Sequence, residues 1–269
     1  VRIVDIGANP MNHKPPYAAM LQAGLCHVVG FEPQQSALDE LNARKGPNET
    51  YLPHAVGDGG RHTLNLYRGG GLASLFPIRR ATVSFLRGLR RAARGQGSEA
   101  LETMRLDDIA EVGRVDHFKI DIQGGEPMVF EHASRALSEA ACVHSEVSFF
   151  PLYEGHRGFG EVDVMLRKAG FLPHSFASMV QRVVLSRRVR ALPDVEPRQM
   201  LDGDIVYFRD LSQPDGLSDQ TVARTAMIAE AVYGFRDLAL RCVDILEDRD
   251  AINSAALDRY LKAINAADV

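Results

Sequence analysis

Short apolar runs alternate with helical segments through most of this chain. The runs Val1–Ile6, His27–Phe31 and Phe118–Ile122 each have the length and composition of one buried strand. Segments with apolar residues at helical spacing separate such runs, among them Gln34–Arg44 and Phe159–Ala169. Strands and helices in alternation form βαβ units around a mostly parallel sheet. The pattern therefore predicts an α/β fold with helices on both faces of a central sheet.

The remaining elements follow from the same pattern. Further strands are expected over residues 50–56, 63–67, 103–106, 141–147, 171–186 and 204–208, and further helices over residues 14–24, 79–94 and 127–137. After Asp210 the pattern becomes almost entirely helical. This change predicts an α/β domain over residues 1–212 and a C-terminal helical extension over residues 213–269.

Composition excludes several classes of partner. The formal net charge of -4 gives the whole chain no general attraction to nucleic acid or to an anionic membrane. No apolar run is long enough to span a bilayer, and no segment reads as a signal peptide. The cysteines Cys26, Cys142 and Cys242 have no metal-binding or redox spacing and are expected to be buried free thiols. These features predict a cytoplasmic protein with no nucleic-acid partner and no integral membrane segment.

An acid and a glycine, Asp5 and Gly7, end the first strand. The glycine lets the backbone turn sharply and approach a ligand closely. A dinucleotide site would need two further glycines, and Pro10–Met11 occupies the place where they would be expected. A ligand without a pyrophosphate therefore fits better, although an ordinary strand–turn–helix corner would have the same sequence.

Two more acids follow predicted strands. Glu32 comes directly after the second strand, where a carboxylate can accept two hydrogen bonds from a ribose diol. Both NAD and S-adenosylmethionine carry that diol, and a solvated strand-end acid is the alternative. Asp58 follows Ala55–Gly57 and could reach an adenine amino group or serve only as a turn residue.

The segment around Asp121 carries the strongest signal. The predicted strand Phe118–Ile122 would contain Asp121, and a carboxylate within a buried strand is costly without partners. Gly124–Gly125 then allows a tight turn into a helix. Glu126 falls in the first turn of that helix, where the helix dipole favours negative charge, and this alone would explain it.

These motifs occur in the order seen in FkbM-type S-adenosylmethionine-dependent methyltransferases, and the chain resembles that family over about residues 1–210. The matching segments are Val4–Pro10, Phe31–Pro33, Ala55–Asp58, Arg105–Ile109, Lys119–Glu126, His144–Val147 and Asp204–Tyr207. The resemblance implies a Rossmann-like class I methyltransferase fold and S-adenosylmethionine as the methyl donor. It also implies O-methylation of sugars, glycans or other hydroxylated natural products.

The resemblance assigns roles to individual residues. Asp5, Gly7 and Asn9 resemble the donor loop, Glu32 with Pro33 the ribose-binding position, and Asp58 an adenine contact. Asp121 and Glu126 resemble the acidic segment that faces donor and acceptor. The chain departs from the family pattern at Pro10–Met11, where a glycine often stands, and at Gln123, where an acid is usual.

A sugar hydroxyl is a poor nucleophile until it begins to lose its proton, so a general base is expected. Asp121 is the first candidate and Glu146 the second, with Glu126 the third acid of the candidate catalytic set. His144 is expected to be a hydrogen-bonded core residue. Asp121, Glu146 and Asp204 could instead hold Mg²⁺ through oxygen ligands. No dense ligand spacing supports that alternative, and no metal is predicted.

Two regions bear on partners. The predicted helix over residues 79–94 carries several arginines, which form either a solvated face or a lid that moves on Gly69–Gly71. A lid of this kind would attract an anionic acceptor such as a phosphate-bearing glycolipid or a nucleotide sugar. Residues 228–240 resemble the turn of a tetratricopeptide repeat, so the C-terminal helices either pack on the core or bind a protein partner.

Two other functions remain compatible with an α/β core of this kind. A nicotinamide-dependent oxidoreductase would require the complete glycine-rich turn and would leave Asp121 and Glu126 without a role. A non-catalytic module would bind the donor and use the helical extension to dock a partner. Turnover that is lost in Asp121→Asn distinguishes the methyltransferase from such a module.

Overall fold

The computed structural model describes residues 1–10, 14–189, 192 and 194–267. Its strands are β1 (Arg2–Ile6), β2 (His27–Phe31), β3 (Glu49–Leu52), β4 (Ala55–Val56), β5 (Arg61–Tyr67), β6 (Gly95–Met104), β7 (His117–Ile120), β8 (Cys142–Ser148), β9 (Phe171–Phe176), β10 (Val180–Arg182) and β11 (Gln199–Arg209). Its helices are α1 (Ala18–Gln22), α2 (Gln35–Arg44), α3 (Arg80–Phe85), α4 (Leu89–Ala92), α5 (Glu126–Glu131), α6 (Ser134–Glu139), α7 (Phe159–Lys168), α8 (Asp219–Ile228), α9 (Arg236–Asp248) and α10 (Ser254–Ala267).

The main sheet has the strand order β10–β11–β8–β7–β1–β2–β3, and β9 pairs with β11 as well. The five strands from β8 to β3 are parallel, whereas β9, β10 and β8 all run antiparallel to β11. The register aligns Ile6 with both Phe31 and Ile120, so β1, β2 and β7 end at the same edge. The predicted mostly parallel α/β sheet is confirmed, and the parallel strands bring their polar end residues together.

Apolar residues cover both faces of this sheet. Alternate residues of a strand point to opposite faces. Ile6 and Ile120 therefore belong to a core that includes Val129 and Leu166 of the helices on one side, and Ile3 belongs to a separate cluster on the other. Helices lie on both faces, as the alternating pattern predicted.

The strand expected over residues 50–56 is wrong as a single element. It is divided into β3, in the main sheet, and β4, which pairs with β6 in a small sheet of order β4–β6–β5. Pro53 lies at the division, and proline has no N–H group to donate to a strand ladder. The short strand expected over residues 103–106 is likewise only the end of the ten-residue strand β6.

Two expected helices are each divided in two. Residues 79–94 form α3 and α4, because Leu86 makes a strand-like bridge to Val184 and Gly88 has a φ of 92°. Residues 127–137 form α5 and α6, and the carboxylate of Asp107 accepts the backbone N–H groups of Arg135 and Ala136 at the start of α6. The expected helix over residues 14–24 is shorter, with α1 beginning at Ala18.

The C-terminal helices pack on the α/β core. Ile228 and Ala239 lie in one buried cluster with Val206 and Phe208 of β11. A π-helical turn over Ala229–Tyr233 connects α8 to the segment before α9. The expected breaks in the helical pattern are present, while the likeness to a tetratricopeptide repeat and a protein partner at this extension stay predictions.

The three cysteines are buried and free, as expected. Within the described ranges, the helices are all too short or too polar to cross a bilayer.

Candidate active site

A cavity of about 880 Å³ opens at the edge where β1, β2 and β7 end. Its volume lies within the range of small-molecule sites, roughly 300–1,000 Å³. The predicted residues that line it are Asp5, Gly7, Asn9, Glu32, Pro33 and Asp121. The predicted residues that lie outside its wall are Asp58, Glu126 and Glu146. Met11 lies outside the described residues.

Asp5 is buried at the floor of the cavity and both of its carboxylate oxygens are bonded. Tyr17 Oη donates to Asp5 Oδ2 at 2.5 Å, and Lys119 Nζ donates to Asp5 Oδ1 at 2.8 Å. Burial opposes the charge on Lys119, but the carboxylates of Asp5 and Asp121 outweigh it, and the pKa of Lys119 is raised. The pair supplies one group of each sign to the same wall of the cavity.

Gly7 is required by the shape of the donor-side loop. Its φ is 83°, and a Cβ atom at this position would lie 2.0 Å from the backbone oxygen of Asp121. A residue with a side chain would meet both obstacles, since left-handed backbone is unfavourable and the space is occupied. The loop after β1 therefore runs directly against the chain after β7.

Glu32 is only 2% exposed although it lines the cavity. The backbone N–H of Gln34 donates to Glu32 Oε1 at 2.8 Å. Burial raises the pKa of the Glu32 carboxyl, with hydrogen bonds from Gln34 and Asn9 opposing that shift. A carboxylate this buried is stabilised by further donors, so Glu32 is suited to bind a ligand with hydroxyl groups.

Asp58 is held by its own neighbours. His62 Nε2 and the backbone N–H of Gly60 both lie 2.8 Å from Asp58 Oδ1. The hydrogen bond with His62 is the main reason that the pKa of Asp58 falls to about 2. The geometry places this acid in the contact between β4, β5 and β6 and not at the cavity.

Asp121 does not lie within a strand, which corrects the expectation for Phe118–Ile122. Strand β7 ends at Ile120, and Asp121 is exposed at the cavity. Its backbone N–H still donates to Ile6 O at 3.0 Å. The chain turns away directly afterwards, so the carboxylate points into the open end of the sheet without the cost of burial. Asp121 Oδ1 accepts a hydrogen bond from Gln123 Nε2 at 3.1 Å.

Glu126 and Glu146 lie behind Gln123 as seen from the cavity. Glu126 is 3% exposed, and its two oxygens accept the backbone N–H groups of Ile122 and Gly124 at 2.8 and 3.0 Å. Burial raises its pKa to about 7. Burial, and then Asp121 and Glu126, raise the pKa of Glu146 well above its usual value. Oxygens of these three acids lie within 4.8 Å of one another.

Asp204 stands apart from that group. Ser178 Oγ donates to its Oδ2 at 2.6 Å, and His144 Nε2 lies 3.5 Å from its Oδ1. His144 is 5% exposed, and its Nδ1 lies 2.9 Å from Tyr233 Oη. The same hydroxyl lies 2.9 Å from His117 Nε2. His144 is therefore a hydrogen-bonded core histidine as expected, although it also contributes to the wall of the cavity.

Sequence reasoning gave no role to Tyr17, Lys119 or Gln123, which all line the cavity. Lys119 had a readable signal, because a lysine between two apolar residues of a buried strand needs an acidic partner. Gln123 was visible only as a departure from the family pattern. Tyr17 gave no signal, since a tyrosine in a helical segment usually packs in the core.

Comparisons with known proteins agree with this geometry. The sequence model of the methyltransferase FkbM domain matches residues 5–173. A search of curated proteins finds no match.

Several solved structures are similar at low identity. Magnesium protoporphyrin IX methyltransferase from Synechocystis PCC 6803, with bound S-adenosylmethionine, is 10% identical with a TM-score of 0.40 over 77% of this chain and 69% of that chain. A TehB-like methyltransferase from Corynebacterium glutamicum is 10% identical with a TM-score of 0.35, over 78% and 80% of the two chains. An S-adenosylmethionine-dependent methyltransferase from Mesorhizobium loti is 10% identical with a TM-score of 0.36, over 77% and 90%. At these TM-scores the likenesses carry no argument about the site.

Proposed function

The chain belongs to the FkbM methyltransferase family and uses S-adenosylmethionine, and from that premise we propose that it methylates a hydroxyl group of a sugar, a glycan or a related natural product. One observation carries the proposal. A single cavity has the buried carboxylate of Glu32 on its wall and the exposed carboxylate of Asp121 at its open end. The nicotinamide-dependent oxidoreductase is not supported, because the family match assigns methyl transfer.

The donor side of the cavity fits S-adenosylmethionine. Glu32 would bind the ribose diol, because its buried carboxylate can accept two hydrogen bonds. Gly7 and Asn9 would hold the donor through the loop after β1. The Asp5–Lys119 pair offers one group of each sign to the zwitterionic amino-acid part. The bound donor supplies an electrophilic methyl group on a sulfonium centre.

We assign the role of general base to Asp121. Its Oδ1 is bonded to Gln123, whereas Oδ2 forms no hydrogen bond with any part of the chain that the structure describes. The proton of the acceptor hydroxyl would move to Oδ2 while the hydroxyl oxygen attacks. A positioned base contributes about 10²–10⁴-fold to such a reaction. Glu126 and Glu146 would shape the segment that presents Asp121, since neither lines the cavity.

The acceptor we propose carries an anionic group such as a phosphate. Residues 61–94 contain eight arginines and no acidic residue, and Arg80, Arg90, Arg91 and Arg94 are exposed. The carbonyl of Ala92 accepts the backbone N–H of Gly69 at 2.9 Å, which holds α4 next to the cavity-lining residues Gly70 and Gly71. Positive charge in a net negative chain would thus favour an anionic acceptor near the cavity mouth.

Transfer of labelled methyl from S-adenosylmethionine to a panel of free sugars, glycosides and nucleotide sugars tests this proposal. We expect base-labile ester products to be absent and a stable methyl ether to form. Asp121→Asn should lower the rate by about 10²–10⁴-fold, while Asp39→Asn, on the exposed surface of α2, should not. Methylation only of nitrogen or carbon acceptors, or a full rate in Asp121→Asn, would contradict the proposal.

A further inference from the structure

Gln123 has an unusual backbone conformation. Among the residues that the structure describes, Gln123 and Asp250 alone have a positive φ without being glycine, and the φ of Gln123 is 57°. Left-handed backbone is unfavourable for any residue with a side chain, and glycine would suit this turn better. Such strain persists where the surroundings hold it, and it is concentrated at functional sites. The side chain of Gln123 therefore needs an explanation.

The side-chain amide of Gln123 joins two acids. Its Nε2 atom lies 2.8 and 2.9 Å from Oε1 and Oε2 of Glu146, and 3.1 Å from Oδ1 of Asp121. An amide nitrogen has two hydrogens. One can bridge the two oxygens of Glu146, while the other donates to Asp121. Gln123 thereby connects the cavity-lining acid to the buried acid behind it.

The orientation of this amide is fixed by a third partner. Tyr153 Oη donates to Gln123 Oε1 at 2.7 Å. An amide rotated by half a turn would place Oε1 against two carboxylates, so the network allows one assignment. The main chain is held as well, because Ser74 Oγ donates to the carbonyl of Gln123 at 2.6 Å. Tyr153 and Ser74 are both buried.

An acid at position 123, which the family pattern favours, would change the charge of this cluster. The carboxylates of Asp121, Glu126 and Glu146 already lie within 4.8 Å of one another. A fourth carboxylate would repel them and could not donate a hydrogen bond. The amide is neutral and donates to two of the three acids, so it holds them close without adding charge.

We propose that Gln123 is a positioning residue of the acceptor site, whose side-chain amide holds the carboxylates of Asp121 and Glu146 in the arrangement that proton removal requires. The proposal rests on the proposed function for the role of Asp121, but its contacts can be tested without an acceptor. It assigns Gln123 a task that an acid at the same position could not perform.

The test follows the carboxyl carbon of Glu146 by ¹³C NMR during a pH titration of the intact chain. Glu146 is faced by Asp121, Glu126, Asp202, Asp204 and Tyr153, so its midpoint reports on this cluster. In Gln123→Glu the midpoint should rise by about one unit or more, because a like charge replaces a donor. Gln35→Glu is the matched control, since Gln35 also donates to an acid, Asp39, but on the exposed face of α2.

Two further variants keep the test decisive if Gln123→Glu folds poorly. Gln123→Gly suits the left-handed turn and removes the donor, so its Glu146 midpoint should also rise while its melting temperature holds. The exchange Gln123→Glu with Glu146→Gln restores an amide–carboxylate pair and should recover melting temperature lost in Gln123→Glu. An unchanged Glu146 midpoint in both single variants would overturn the proposal.

Failure of the proposed function would look different. S-adenosylhomocysteine would then not bind the wild-type chain in calorimetry, whereas the Glu146 titration would still respond to position 123.

Discussion

At the scale of single residues, burial and hydrogen bonding determine how the acids near the cavity behave. Burial raises the pKa of Glu126 to about 7, although two backbone N–H groups favour its charged form. A hydrogen bond with His62 instead lowers the pKa of Asp58 to about 2. The same residue type can therefore be a source of pH dependence or a fixed charge, according to its surroundings.

The raised pKa of Glu126 predicts a stability that falls with pH. Its carboxyl is half protonated near pH 7 in the folded chain and near pH 4.5 when unfolded. The folded state therefore binds more protons between these values, and its free energy of unfolding should fall by about 3 kcal/mol as pH rises through this window. Urea unfolding at several pH values measures the slope. Glu126→Gln should flatten it, and an identical slope in that variant would contradict the assignment.

Asp58 gives a prediction that separates two roles. Asp58→Asn should weaken the contacts with His62 and Gly60 and lower the free energy of unfolding by about 1 kcal/mol. It should leave the affinity for S-adenosylmethionine unchanged, because Asp58 does not line the cavity. Urea unfolding and calorimetry on the same variant measure both quantities. A tenfold or greater loss of affinity would restore the adenine contact that the family resemblance implies.

At the scale of elements, sequence reasoning succeeded where a periodic pattern ended at a residue that stops the element. Strand β2 has the expected bounds, and α2 differs by one residue. Helix α7 ends shortly before Gly170, which has a φ of 87°. Apolar periodicity is local information, and these elements are formed by local information.

Elements that depend on distant partners could not be predicted. Leu86 leaves the helical pattern because its neighbours pair with the chain near Val184: Leu185 N–H donates to Phe85 O at 2.7 Å. Strand β6 is almost wholly exposed over Gly95–Glu102, so it has no apolar alternation, and its pairing with β5 alone forms it. Neither partner is close enough in sequence to be read from the segment itself.

The π-helical turn before α9 provides a prediction about the helical extension. Tyr233 Oη connects His117 of β7 with His144 of β8. Tyr233→Phe would leave buried ring nitrogens without a partner and should lower the free energy of unfolding by about 1–3 kcal/mol. Chemical unfolding measures this. The control is Tyr260→Phe, whose hydroxyl bonds Glu230 at 3.2 Å. Equal losses in both variants would mean that Tyr233 does not tie the extension to the sheet.

At the scale of the whole molecule, the edge of the sheet explains why the predicted site was largely recovered. Parallel strands bring their ends together, so acids after β1, β2 and β7 were expected at one cavity, and Asp5, Glu32 and Asp121 line it. What the sequence could not provide was depth. Glu126 and Glu146 were expected to face the acceptor, but the left-handed turn at Gln123 places them behind that residue.

The central claim is that the cavity beside Glu32 binds S-adenosylmethionine, and calorimetric titration of the donor into the wild-type chain and Glu32→Gln tests it most directly. We predict binding to the wild type and an affinity roughly 10- to 150-fold lower in Glu32→Gln, from the loss of charge-assisted hydrogen bonds worth about 1.5–3 kcal/mol. Glu40→Gln, an exposed change on α2, should bind like the wild type. Equal affinity in Glu32→Gln, or no binding to the wild-type chain, would contradict the account.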